Sequence, residues 1–202
     1  MRRWILAVLL AVCSLSLAAQ EEIKVNYQGE RPTIRDLGWA YLDSFDGEEN
    51  IINEALDALK QAWLSQRYGG ALEEGESLTI DEKNGFILYE IRGEENLFRI
   101  EMCFWNEADQ KHKLFACNVG SYSNGKYDAG QYDGIEFFRY DNGSKQMVRW
   151  HDVGLGEDLY FEDGAEVSYE LPRTGKDIVA TIWYEKGPRR KTLRWDGRRF
   201  GE

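Results

Sequence analysis

Apolar positions in the first third of the chain repeat with the period of an α-helix. Ile34, Leu37, Tyr41, Leu42 and Phe45 fall on one stripe, and Thr33 with Asp36 has the form of a capping pair. Asp46-Gly47 ends that run. A second helix is predicted beyond it, capped by Asp46 with Glu49, with Glu48 and Glu49 suited to the positive end of its dipole. Ile51, Ile52, Ala55, Leu56, Leu59, Ala62 and Trp63 share its apolar face. Asn53, Glu54, Asp57, Lys60 and Gln61 take the other, and Gly69-Gly70 stops the helix. Stripes of this kind pack against a core.

Past Gly70 the period falls to two residues, so strands replace helices. Segments 78–81 and 86–91 flank Asn84-Gly85, a hairpin signal, and 97–105 and 113–119 flank a polar loop at 106–112. Segments 135–140 and 146–150 flank Asp141-Asn142-Gly143-Ser144, and 167–170 ends before Pro172. Segments 178–185 and 191–195 flank Gly187-Pro188, after which Asp196-Gly197 turns the chain into Arg198-Arg199-Phe200. A short alternating segment, Ile23 to Tyr27, precedes the helices. Every strand connection is too short for a parallel crossover. The predicted fold is therefore α+β: two N-terminal helices packed on a curved, mainly antiparallel sheet built from consecutive hairpins. The longest irregular pieces, 120–134 and 153–164, are where function would sit. An aromatic followed by Asp-Gly recurs at Tyr132-Asp133-Gly134, Phe161-Glu162-Asp163-Gly164 and Trp195-Asp196-Gly197. The irregular spacing fits turn chemistry better than a repeat architecture.

The first residues follow a different rule. Met1-Arg2-Arg3 is basic, Trp4 to Leu17 is largely apolar, and small residues at Ser16, Ala18 and Ala19 precede Gln20-Glu21-Glu22. That order is a secretory signal peptide cleaved after Ala18, too short for a membrane span. Residues 19–202 then form a single α+β domain, periplasmic or secreted, with no transmembrane segment. Cys13 leaves with the leader; the branched Val12 before it does not suit a lipid-modified cysteine. The chain holds 36 acidic against 25 basic residues, a net charge of −11, and loss of Arg2 and Arg3 makes it more negative. Nucleic acid and anionic membranes repel such a molecule, so neither is an expected partner.

Two cysteines remain, Cys103 and Cys117, on the hairpin at 97–105 and 113–119. A turn centred near Gln110 would place them opposite each other, open either to a cross-strand disulfide or to two buried thiols. The histidines, His112 and His151, lack metal-ligand spacing. His112 lies among lysines in a polar loop as a solvated turn residue. His151 adjoins Asp152, but strand neighbours point to opposite faces. No nucleophile elbow, Ser-x-x-Lys or phosphate-binding glycine loop is present, and no cofactor is implied. Abundant carboxylates leave a glycan hydrolase open without locating one, and the acidic loop Glu157-Asp158 to Glu162-Asp163 lacks the alternation of a calcium loop.

The aromatic surplus carries more weight. On 178–184, Ile178, Ala180, Ile182 and Tyr184 share one face while Trp183 points the other way with Val179 and Thr181. Such a strand is either packed on both faces or offers an aromatic platform that stacks on sugars or docks a protein. Trp105, Trp150, Trp183 and Trp195 are the candidate ligand-binding residues.

Four stretches are familiar in combination: Glu101-Met102-Cys103-Phe104-Trp105-Asn106, Tyr140-Asp141-Asn142-Gly143, Leu171-Pro172-Arg173-Thr174-Gly175-Lys176-Asp177-Ile178 and Thr192-Leu193-Arg194-Trp195-Asp196-Gly197-Arg198-Arg199-Phe200. Together they resemble a group of small uncharacterised exported proteins of Bacteroides-type gut bacteria. The resemblance implies a periplasmic or exported location and brings no site residues with it. The expected function is a non-catalytic exported domain that binds a protein partner or a glycan through an aromatic strand face and its flanking loops. The alternative is a periplasmic hydrolase of glycan or cell-wall material using paired carboxylates.

Overall fold

A computed structural model describes residues 22–44, 51–130, 133–155 and 165–201, with the backbone alone for 51–54. The leader at 1–18, Phe45, the Asp46–Glu49 cap, Tyr132, the Phe161–Gly164 turn and the acidic loop at 157–163 lie outside the described residues. The helices are α1, Ile34–Asp43, and α2, Ile51–Arg67. The strands of the first half are β1 Glu22–Lys24, β2 Glu76–Asp81, β3 Phe86–Arg92, β4 Asn96–Asn106, β5 His112–Ser123 and β6 Lys126–Tyr127. Those of the second half are β7 Gly134–Asp141, β8 Gln146–Arg149, β9 Glu166–Glu170, β10 Ile178–Tyr184, β11 Gly187–Trp195 and β12 Phe200–Gly201. No helix among them is long and apolar enough to cross a membrane.

Local chemistry explains the elements. Thr33 and Asp36 close a reciprocal capping box on α1, the Asp36 carboxylate accepting from the Thr33 backbone N–H at 2.7 Å. Leu56, Leu59, Ala62 and Trp63 of α2 are buried on the expected stripe, while Asp57 and Gln61 are exposed. Gly38 lets α1 lie close to the sheet, because a Cβ there would stand 2.9 Å from Ile87 Cδ1.

All pairings are antiparallel, but they build two sheets instead of one. The large sheet runs β1-β8-β7-β5-β4-β3-β2, with β6 added to β5, and the small one runs β12-β11-β10-β9. The helices cover one face of the large sheet: Ile34, Leu37 and Tyr41 of α1 and Leu59 and Trp63 of α2 meet Ile87, Ile100, Met102, Phe115 and Cys117. The small sheet covers the other, where Phe86, Cys103, Trp105, Leu114 and Phe137 meet Ile178, Ala180, Leu193 and Phe200. Strands β4 and β5 are apolar on both faces because both faces are covered.

The expected single curved sheet is thus corrected: the chain leaves the large sheet after β8, β9 pairs with β10, and the eight-stranded sheet is not strongly curled. Gly187-Pro188 opens β11 instead of forming the turn, which is Glu185-Lys186, because Tyr184 pairs with Gly187. The disulfide is also corrected. Cys103 pairs with Ala116 and Met102 with Cys117, one residue away from the expected register. Glu107 N–H donates to His112 O, and Gln110 takes a left-handed φ of 58°, so the turn centres half a residue earlier. One step reverses a side chain's face. Cys117 joins the helix-side core, Cys103 the inter-sheet core, and both are free thiols.

Candidate functional site

The four tryptophans occupy three different environments. Trp105 and Trp195, 4% and 9% exposed, are core residues between the sheets. They pack with Phe137 and Phe200 at ring separations from 4.9 to 6.4 Å. Trp105 Nε1 donates to Lys176 O at 2.8 Å, while Trp195 Nε1 is buried without a partner among the described residues. Neither offers a surface for a ligand. Trp183 is half-buried on β10, its Nε1 donating to Ser168 Oγ at 2.9 Å.

Trp150, the first residue past β8, is where the aromatic core reaches the surface. Its ring packs partly against the inter-sheet core, and its backbone N–H donates to Phe137 O at 2.8 Å. Its Nε1 donates to Asp152 O at 3.2 Å, and the Arg139 guanidinium lies 5.0 Å from the ring centroid. These contacts hold the indole in one orientation. Beside it opens a cleft of about 400 Å³, with Glu136 and Phe137 of β7, Arg149 of β8, His151 and Tyr169 of β9 on its walls. The cleft exists because β8 stops at Arg149 while β7 continues, and β9 of the second sheet crosses beyond. Arg149 holds Glu136 at 2.7 Å, and the Tyr41 hydroxyl donates to the other Glu136 oxygen at 3.4 Å. His151 is exposed on the cleft and makes no dyad with Asp152, which pairs with Arg199.

Behind Arg139 the tips of two hairpins meet in an ionic cluster. His112, expected as a solvated turn residue, instead stands between two carboxylates, with Nδ1 2.5 Å from Asp109 and Nε2 3.0 Å from Asp141. Arg139 grips both oxygens of Glu107 at 2.7 and 2.6 Å. Burial works to raise Asp109, but hydrogen bonds from His112 and from the Lys111 and His112 backbone outweigh it and hold the carboxyl at about 2. Glu107, Asp109 and His112 could offer three metal ligands within 4.8 Å of one another. The Arg139 cation already sits on Glu107 and 3.6 Å from Asp109, which disfavours a second cation there.

A buried carboxyl joins the two sheets. Glu101 is 5% exposed and accepts from Leu171 N–H and Asn118 Nδ2, each at 3.1 Å. Asn118 also donates to Tyr169 O at 2.8 Å. Burial raises Glu101 above its ordinary range, against the pull of Leu171 N–H and Arg99. It belongs to neither cleft wall and serves as a pin between layers. A second cleft, about 480 Å³, lies between β1 and α1 with Lys24, Asn26, Asp36, Trp39 and Asp43 around it. Asp36 is committed to the cap, and Asp43 to Lys60, whose ammonium stands 5.5 Å from the Trp39 ring. No sequence pattern pointed to this cleft, because it depends on β1 docking at the far edge of the sheet, on β8. No family model, curated protein or solved structure matches the chain.

Proposed function

We propose that the protein is an exported, non-catalytic domain that binds a carbohydrate in the cleft at Trp150. The observation that carries this reading is the indole itself, half-buried, fixed by its own N–H groups and by Arg139, and bordering a cleft of about 400 Å³. A pyranose presents a C–H face that stacks on such a ring, and Arg149, Glu136 and His151 supply polar groups for its hydroxyls. Export rests on the basic, apolar and small-residue order of 1–18. The hydrolase alternative draws little support, since the carboxyl raised by burial, Glu101, is engaged between the layers and does not line the cleft.

Calorimetric titration with a panel of soluble oligosaccharides tests the proposal. Trp150→Ala is expected to weaken binding of the best ligand by about tenfold or more. Equal affinity in the variant and the parent protein would remove the cleft from consideration.

A further inference from the structure

The Trp150 indole has to be held from outside its own segment. Strand β8 ends at Arg149, and Trp150 is tied to the sheet by its backbone N–H to Phe137 O. The Nε1 bond reaches Asp152 O only two residues on, within the same segment. The cation that comes to the ring from another strand is Arg139. Register explains why: Phe138 pairs with Arg149, so Arg139 of β7 and Trp150 share a face as diagonal neighbours, within reach of long side chains. The guanidinium carbon stands 5.0 Å from the indole centroid.

Arg139 is itself held by a residue outside the cleft. Both Glu107 oxygens accept from it, at 2.7 Å from Nε and 2.6 Å from Nη2, the bidentate geometry that fixes the plane of a guanidinium. Glu107 is 8% exposed, and its backbone is pinned twice. Its own N–H donates to His112 O at 3.1 Å, and the N–H of Ala108 donates to Gly197 O at 2.8 Å. Asp109 at 3.6 Å and His112 Nδ1 at 3.1 Å face Arg139 from the same hairpin tip. We infer that Glu107 is a positioning residue for the Trp150 cleft, its carboxylate setting the plane of the Arg139 guanidinium and through it the orientation of the indole. The inference rests on the carbohydrate reading of the cleft and adds how its ring is kept ready. A tie between hairpin tips needs only charge and proximity, whereas a guanidinium locked in plane beside an aromatic face supplies orientation as well. Neither Arg139 nor Glu107 lines the cleft, so both act through the ring. A ring already held in its bound orientation loses less freedom on binding, and the hold appears as affinity.

The test uses Glu107→Gln, which keeps the shape of the side chain and removes its charge, together with Arg139→Gln and the double variant. Two readouts are taken: the indole N–H resonances of the free protein, and calorimetric titration with the best-binding member of the oligosaccharide panel. Glu107→Gln is expected to move the Trp150 resonance while that of Trp39, on α1 across the large sheet, stays in place. Binding is expected to weaken by about threefold to tenfold. Arg139→Gln is expected to do the same, and the double variant no more than Arg139→Gln alone, because the carboxylate acts through the guanidinium. Arg139→Lys, which retains the charge but not the planar fork, falls between and stands in should Glu107→Gln not fold. An unchanged Trp150 resonance or an unchanged affinity in Glu107→Gln overturns the inference, as does a further loss in the double variant. A moved Trp150 resonance with no oligosaccharide bound by the parent protein overturns the carbohydrate reading and leaves the hold on the ring standing.

Discussion

At Cys103 and Cys117 one step of register decides the chemistry. Both thiols are buried, on opposite faces of the large sheet, and burial pushes Cys117 up to about 12 and Cys103 upward as well. Alkylation followed by peptide mass mapping is expected to label neither in the folded protein and both after unfolding, with no reductant added. A cross-linked peptide pair would contradict the register. The two residues were legible in the sequence as buried strand cysteines, but the register was not. It is set by the Glu107–His112 hydrogen bond and the left-handed Gln110, which alternation of apolar residues does not encode. Glu101 was equally invisible among 36 acidic residues. Removing its acceptor in Glu101→Ala strands Leu171 N–H and leaves Asn118 Nδ2 only its bond to Tyr169 O, at a cost of about 1–3 kcal/mol in denaturant unfolding. Glu101→Gln behaves differently with pH. The folded carboxyl is raised, so its penalty is absent where both states are protonated and grows as pH rises through the folded value. The Gln variant is therefore expected to gain stability relative to the parent protein from acidic to neutral pH. A constant difference would show that the carboxyl is not ionised against its burial.

Between elements, the hairpin tips β4–β5 and β7–β8 are tied through His112, and Asn142 N–H donates to Lys111 O at 2.9 Å. Both carboxyls on His112 are held below their ordinary value, Asp141 chiefly by the Ser144 backbone N–H, and Asp109 is the more strongly shifted. Its folded value is depressed to about 2, so the stability it contributes is present above the ordinary carboxylate range. That contribution is lost as pH falls from about 4 through about 2. Thermal unfolding across this window is expected to decline less steeply in Asp109→Asn, and identical slopes would show that the tie is not formed. The helices and hairpins themselves were readable, because capping pairs, stripes and Asn-Gly or Asp-Asn-Gly turns are local signals. Their assembly was not. A hairpin that continues one sheet and a hairpin that starts another have the same alternation, so the break between β8 and β9 left no mark in the pattern.

For the molecule as a whole, three layers explain why so many strands are apolar on both sides. The helices need one face of the large sheet and the small sheet needs the other. That arrangement sends Trp105 and Trp195 inward and leaves Trp150 at the seam where the layers part. The sequence showed the aromatic excess but could not distinguish a platform from a core, since the distinction lies in what covers each ring. Net charge was similarly incomplete as a guide, because β11 is locally basic within an acidic chain.

In the proposed complex the ligand engages the Trp150 ring at the seam. Titration with the best-binding oligosaccharide, followed through the indole N–H resonances in a nitrogen–proton correlation spectrum, tests it most directly. The Trp150 resonance is expected to move with saturation while those of Trp105 and Trp195 stay in place. Movement confined to Trp39, on the cleft between β1 and α1, with Trp150 unchanged would contradict it.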